Sequence, residues 1–463
     1  MTIGSAAVVG DALFDVVNPA TGRVWAQAPD CGRDLLDEAV AAAEGAWPGW
    51  RADPEARGAA LTAGAAAVRE AADDLAPVLT GEQGKPLREA RAEVLHAAAR
   101  LEHAAGLRAE PVVITDTPEE TVEVRRRPLG PVAAIAPWNF PVQLAAAKIA
   151  PALAAGNTVV LKPSPYTPLS TLLLGRVLAR ALPPGVLNVV SGRDPLGAWL
   201  AAHPGIRKVN FTGSVATGKH VAASAAADLK RLTLELGGND AAIVLPDADV
   251  ETVADRLFWS AFANCGQICM AVKRVYAPAE RYEEVVEALA VRAARTVVAA
   301  GTDPAAQLGP VANRPQFGRV AELVSDALAH GARAAAGGRA LDRAGYFFAP
   351  TVLAGVSDGV RIVDEEQFGP ALPVIAYADV DEAVDRANHT RYGLCGSVWG
   401  TDLDRAEAVA ERLECGTVWI NRHLQMSFDE PFAGTKWSGL GVSGGPWGVH
   451  SHTEPFVLHR PRT

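Results

Sequence analysis

Cysteine is scarce: the 463 residues hold five, Cys31, Cys265, Cys269, Cys395 and Cys415. An odd number without paired spacing excludes a small disulfide scaffold and a Cys-x-x-Cys zinc site, so no metal is expected. A reducing, cytoplasmic setting follows, in which a special cysteine is catalytic rather than structural. Long apolar runs are missing as well. No window approaches the roughly 18 charge-free residues of a membrane span, and Met1 to Asp11 lacks the basic start and apolar core of a secretory signal. Positive charge is also in deficit, with 43 Lys and Arg against 53 Asp and Glu. The resulting charge of -10 is spread along the chain and leaves no footprint for nucleic acid. The one basic run, Arg125-Arg126-Arg127, reads as a solvated strand edge.

The length is enough for two compact lobes, each with its own core. The first hundred residues read as helices, with Leu35, Leu36, Ala39, Val40, Ala43 and Trp47 on one face. From Val132 short β-branched runs alternate with helical stretches: Val132 to Ala136, Thr158 to Leu161, Val186 to Val190, Lys208 to Phe211, Leu232 to Leu236 and Ala241 to Leu245. That alternation predicts βαβ units and doubly wound parallel sheets. Thr167 is placed to cap the helix after Leu161, with Pro168 at its first position. A second series runs from Glu251 to about Ile420, with strands at Lys273 to Tyr276, Leu372 to Ala376 and Gly416 to Ile420.

Four segments could carry chemistry. Phe262-Ala-Asn264-Cys-Gly266-Gln267-Ile-Cys269 sets a thiol in a small, polar segment, where nearby backbone N–H groups would favour the nucleophilic thiolate. A lone cysteine is more often a buried small hydrophobe. Glu235 ends a strand just before Gly237 and Gly238; apolar surroundings would raise its pKa and suit it as a general base. An isolated strand-end Glu is more often merely solvated. Pro137-Trp138-Asn139-Phe140-Pro141 is a rigid turn in which the Asn139 amide could meet an oxyanion. Phe211-Thr212-Gly213-Ser214 follows a strand and opens a helix, as a phosphate site would, though any tight βα turn looks alike.

Together with Asn18 to Gly22, Val160 to Ser164, Glu365 to Pro370 and Pro431 to Gly439, these motifs resemble the aldehyde dehydrogenase superfamily over essentially the whole chain. The resemblance implies an α/β fold: two doubly wound parallel-sheet domains plus a small β oligomerisation unit. It assigns residues 1–109 and 129–237 to NAD(P) binding, 238–437 to catalysis, and 110–128 with 438–463 to the bridging unit of a homodimer or homotetramer. It makes Cys269 the nucleophile, Asn139 with the Cys269 N–H the oxyanion donors, and Glu235 the base that activates water to hydrolyse a thioester. Cys265 is left as a structural neighbour. Cofactor contacts are expected from Pro137, Trp138, Lys162, Ser164, Pro165, Gly192, Phe211, Gly213, Ser214, Leu236, Glu366 and Phe368. NAD is the expected cofactor.

Three positions depart from the family pattern. Where NAD-preferring members often carry a Glu after the Lys, this chain has Pro165, which opens the site to NADP. Where many relatives carry an Arg-Glu proton relay, it has Val442 and Ser443; and Ala433 replaces a Gly of Pro-Phe-Gly-Gly. Phe140, Leu144, Ile268, Met270 and Phe432 make an apolar lining that suits an apolar or aromatic aldehyde. Ala147, where relatives commonly place Trp, would widen the entrance. Arg422, His423 and Gln425 raise the alternative of a semialdehyde or other anionic aldehyde. Retention of Glu235 disfavours transfer to coenzyme A, and intact Cys269, Glu235, Asn139 and Lys162 disfavour a non-catalytic descendant.

Overall fold

The computed structural model describes residues 1–462. Its first sheet has eight strands, with five parallel ones at the centre: Arg231–Glu235, Lys208–Thr212, Val132–Ile135, Val159–Lys162 and Leu187–Val189, in that spatial order. Val132–Ile135, Val159–Lys162, Leu187–Val189 and Lys208–Thr212 are buried along their whole length. Helices therefore cover both faces, which is why these runs are continuously apolar rather than alternating. The Ala-rich helix Pro141–Ala154 lies close on the sheet, with Ala145, Ala146, Ala150 and Ala152 fully buried.

Chain order runs outward from Val132–Ile135 in one direction through Val159–Lys162 and in the other through Lys208–Thr212. The crevice at the carboxyl ends of Val132–Ile135 and Lys208–Thr212 is thus a topological switch point, where such sheets bind ligands. Gly439–Leu440 returns to add an antiparallel edge beside Arg231–Glu235. The second sheet has seven strands in the order Arg333–Ala336, Thr351–Ala354, Ala371–Tyr377, Val272–Pro278, Asp240–Val244, Cys395–Trp399 and Thr417–Ile420. Among the described residues, no helix is long and apolar enough to cross a membrane and no metal-ligating cluster occurs.

Several local expectations change. The first thirty residues are strands, not helices: Thr2–Ile3, Ala6–Ala7, and a hairpin of Ala12–Asn18 with Arg23–Asp30. In the hairpin Phe14 and Val16 are buried while Leu13 and Asp15 are exposed, a period of two that overrides the helical pattern beginning only at Arg33. The basic run is not an edge. Glu120–Pro128 is the middle strand of a three-stranded sheet, paired along its length with the C-terminal strand Thr453–Pro461. The two edges are Thr453–Pro461 and Val112–Asp116, the latter exposing Val112, Val113 and Ile114.

Thr167 does not cap the next helix. Pro168 occupies the N-cap of Leu169–Leu178, and the Glu82 carboxylate accepts from Leu169 N at 2.7 Å and Ser170 N at 2.9 Å. A buried carboxylate at a helix N-terminus meets the positive end of the helix dipole, so it supplants a side-chain hydroxyl. Burial still pushes the Glu82 carboxyl up to about 7, against its hydrogen bonds from Ser170 and Leu169.

Candidate active site

A cavity of about 620 Å³ opens at the switch point. Pro137, Trp138 and Asn139 form one wall; Thr212, Gly213 and Ser214 form the next, beside Leu236 and Gly237. Cys269, Glu366 and Phe368 close it from the second unit. Ser214 caps the helix Val215–Ala226 by accepting from Thr217 N at 3.2 Å, which aims the helix N-terminus at the cavity. That end offers free N–H groups and a positive dipole to an anion.

The cysteine segment turns sharply. Asn264, Cys265 and Gly266 all have left-handed φ, at 50°, 61° and 69°. Only glycine fits position 266, since a Cβ there would lie 2.2 Å from the Gly369 carbonyl oxygen. The strained turn is held by Gln267, whose Nε2 donates to the Asn264 carbonyl at 2.9 Å and whose Oε1 accepts from Ala312 N at 2.8 Å. Cys269 emerges half-buried into the cavity. The expected thiolate is not the resting form. Burial pushes the Cys269 thiol up to about 12, only partly offset by Lys273, whose ammonium is bound to the Ile268 and Cys269 carbonyls at 3.0 and 2.6 Å. Cys265 is buried and sits in the core, its thiol also pushed up to about 12 by burial.

Asn139 is fixed from three sides. Its Nδ2 donates to the Gln267 carbonyl at 2.9 Å, and its carbonyl accepts from Asn264 Nδ2 at 3.0 Å and Lys85 Nζ at 2.9 Å. Lys85 is paired with Glu93 at 2.5 Å, both side chains being 1% exposed. Glu93 in turn accepts from Val142 N at 2.9 Å and Gln143 N at 3.2 Å, anchoring the helix that begins two residues after Asn139. Lys85 and Glu93 escape sequence inspection because the groups they position, at Asn139, Val142 and Gln143, lie about fifty residues away.

Glu235 ends its strand as expected, but its electrostatics are reversed. Burial alone would raise its carboxyl; Lys148 nearby, hydrogen bonds from Ser443 and Thr212, and Arg100 together hold it below the usual carboxylate value. Thr212 Oγ1 donates to Oε2 at 2.8 Å, Lys148 Nζ lies 3.9 Å from that oxygen, and Ser443 donates to Oε1. Ser443 thus stands directly on Glu235.

Of the expected cofactor residues, Pro137, Trp138, Gly213, Ser214, Leu236, Glu366 and Phe368 line the cavity. Trp138 and Phe368 meet edge to face at 5.3 Å. Glu366 Oε1 accepts from Gly238 N at 3.0 Å, and a Cβ on Gly237 would strike that carboxylate at 2.1 Å. Lys162 and Pro165 line a separate recess of about 380 Å³ with Tyr166, Arg193 and Arg314. Ser164 is buried and accepts from Tyr166 N at 3.3 Å; Gly192 is buried against Leu196 and Asp30; Phe211 packs in the core under Gly213. Lys219, Gln316, Arg319, Tyr392 and Trp437 also line the cavity and were not anticipated. Gln316 had a legible signal, an N-terminal helical position after the Asn313 cap; its Nε2 donates to the Gln367 and Phe368 carbonyls at 2.8 and 3.0 Å.

On the other side, Met270 and Phe432 pack with Cys269, Met426, Trp419 and Leu394 in one apolar cluster. Ile268 is buried and Leu144 half-buried, while the Phe140 ring stacks under Lys85 Nζ at 3.9 Å rather than joining that cluster. His423 is buried and its Nε2 lies 2.8 Å from the Met270 carbonyl; burial lowers its pKa to about 3, so it is neutral and holds the loop. Arg422 is exposed in an outer groove with Asp255, Arg256 and Trp259, along with Gln425.

A nucleotide-type crevice that ends on a thiol is the arrangement of a thiol-dependent oxidoreductase. A sequence profile of the aldehyde dehydrogenase family matches residues 8–457, and the chain belongs to that family. Succinate-semialdehyde dehydrogenase (NADP(+)) GabD of Escherichia coli (strain K12) is 38% identical over 455 residues, covering 96% of this chain and 93% of the relative. Geranial dehydrogenase of Castellaniella defragrans is 40% identical over 448 residues, covering 95% and 93%. The NAD+ complex of aldehyde dehydrogenase from Bacillus cereus superposes with TM-score 0.97 at 34% identity, covering 100% of this chain and 96% of that one.

Proposed function

We propose that this chain oxidises an aldehyde bearing an anionic group to the free acid, with NADP or NAD as acceptor, through a thioester on Cys269. The observation that carries the reading is the convergence of Cys269 and Asn139 on one cavity with the helix N-terminus at Ser214, while Glu235 faces Ser443 beyond it. In this scheme the Cys269 sulfur attacks the aldehyde carbon as its proton passes to solvent in the open cavity. The free N–H of the Asn139 amide and the Cys269 backbone N–H hold the oxyanion. When bound, the oxidised nicotinamide supplies the hydride acceptor and a positive charge beside the thiol. Glu235, ionised because of Lys148, Thr212 and Ser443, takes a proton from water as that water attacks the thioester carbon and the C–S bond breaks.

The residues fit a dinucleotide. The cavity offers a helix N-terminus for the diphosphate and Glu366 with Phe368 near the thiol. At the ribose end Pro165 supplies no carboxylate, and its recess sets Lys162, Arg193 and Arg314 against Asp15 and Asp194, a balance of three cations to two anions. That composition favours acceptance of a 2′-phosphate, in keeping with the NADP-dependent Escherichia coli relative. The same relative's name supports a semialdehyde substrate, whereas the apolar cluster around Met270 and Phe432 and the geranial dehydrogenase likeness support an apolar body next to the reacting carbon. An aldehyde with an apolar segment and an anionic far end satisfies both.

Replacing Glu235 with Gln tests the scheme. The acyl-enzyme is expected to accumulate on Cys269, seen as a mass increase of the intact protein with a single burst of reduced cofactor. Steady hydrolysis at the unmodified rate removes Glu235 from the mechanism.

A further inference from the structure

The helix Leu87–Ala105 carries three basic residues, His96, Arg100 and His103, spaced by four and three so that they share one face. All three meet Phe428. The Arg100 guanidinium carbon lies 4.8 Å from that ring, and the His96 and His103 rings lie 4.8 and 5.6 Å from it. His103 has a carboxylate partner, the exposed Asp429 at 3.3 Å. Arg100 has none: no described carboxylate reaches ion-pair distance of it, and its Nε is buried without a hydrogen-bond partner among the described residues. His96 Nε2 is equally buried and unpartnered.

Arg100 is half-buried, so its guanidinium is only partly withdrawn from water, and stacking on an aromatic face attracts its charge but pairs none of its N–H groups. The carboxylate whose charge acts on it is Glu235, whose oxygens are already taken by Ser443, Thr212 and Lys148. Arg100 therefore stands with free donors within electrostatic reach of Glu235 and apart from the residues that line the nucleotide cavity. Phe428 belongs to the loop that continues to Phe432, which packs on Cys269 and Met270.

We propose that Arg100, with His96 beside it and Phe428 behind it, receives the carboxylate tail of the substrate while Cys269 attacks the aldehyde at its other end. A carboxylate fits because the planar fork of arginine pairs both of its oxygens at once. His96 Nε2, in the N–H tautomer, adds a donor to the same anion. This rests on Cys269 and Glu235 being the reacting centre. It moves anion recognition from Arg422, which lies exposed in an outer groove, and from His423, which is neutral, to a helix of the first unit.

The test compares succinic semialdehyde with its neutral methyl ester on wild-type enzyme, Arg100→Met, Arg100→Lys and His96→Gln, with NADP present. Wild type is expected to favour the acid. Arg100→Met is expected to lower the acid-to-ester ratio of kcat/KM by about 10- to 100-fold, mainly through KM for the acid, the loss typical of a hydrogen-bonded charge. Arg100→Lys restores part of the ratio, and His96→Gln lowers it less. Turnover of the ester by each variant reports that the site is folded, and succinate is expected to inhibit wild type more strongly than Arg100→Met. A wild type preferring the acid with a ratio unmoved by Arg100→Met overturns the role of Arg100. A wild type indifferent to the tail overturns the anionic substrate class, and failure on both aldehydes overturns the function itself.

Discussion

Ser443→Ala isolates what holds Glu235 ionised. The Ser443 hydroxyl donates to Oε1 of a carboxylate that is largely withdrawn from water yet has a lowered pKa. A hydrogen bond to a charged group is worth about 1.5–3 kcal/mol net. Without it the carboxylate loses that stabilisation relative to the acid, and its pKa rises. At a pH below the acid limb of activity, the ionised fraction should fall by roughly 10- to 100-fold. Because Glu235 acts in hydrolysis, the burst of reduced cofactor should survive while the steady-state rate drops, and the limb should move to higher pH. Stopped-flow absorbance across an acid-to-neutral series reads both phases. Ser443→Glu, which sets a like charge there, should move the limb further the same way. A limb that stays in place in Ser443→Ala, or moves down, refutes the account. The same sign governs folding. The lowered carboxyl contributes stability above the unfolded-state value, and the contribution is lost as pH falls through the folded-state value.

Lys85→Met leaves Glu93 buried and unpaired, at a cost of about 3–5 kcal/mol, and frees the Asn139 carbonyl. A lower melting temperature and a reduced kcat are expected, and the double variant Lys85→Met/Glu93→Gln should regain stability but not kcat; recovery of both would show that Asn139 needs no such anchor. Pro165→Glu should shift the ratio of kcat/KM for NADP over NAD toward NAD by about ten-fold or more, since like charges brought together cost several kcal/mol. An unchanged ratio would separate Pro165 from the 2′-phosphate. With its thiol pushed up to about 12, Cys269 should react with iodoacetamide at neutral pH more than about 100-fold slower than a free cysteine until cofactor is added. Mapping the modified cysteine by mass spectrometry checks this, and fast labelling of the free enzyme contradicts it.

The parallel strands were legible because burial on both faces leaves unbroken apolar runs such as Val159–Lys162 and Lys208–Thr212. The hairpin before Arg33 was missed because its alternation is short and abuts a long helical pattern. Cys269, Asn139 and the Gly213-Ser214 turn were legible as local motifs, and they do share a cavity. Their electrostatics were not. The thiol was expected to ionise and Glu235 to be raised, and both signs reverse because they depend on distant partners: depth for Cys269, and Lys148, Thr212, Ser443 and Arg100 for Glu235. The Glu82 cap and the bonds from Lys85 to the Asn139 carbonyl and from Val142 N to Glu93 belong to the same class of long-range facts. Position alone likewise gave no hint that His423 is neutral and committed to the Met270 carbonyl.

The hydrogen bonds of Asn139 with Gln267 and Asn264, together with Gln83 Nε2 to Asn264 Oδ1 at 3.3 Å, stitch the two sheet units together at the very turn that presents Cys269. A hinge between the units would have to break that stitch, so wholesale lobe opening is a poor route for exchanging cofactor. Traffic through the crevice should instead proceed by local rearrangement of its walls, such as the Glu366–Phe368 segment and the Trp437 side, around a stationary reaction centre. Nucleophile and oxyanion donor would then keep their mutual geometry from one turnover to the next.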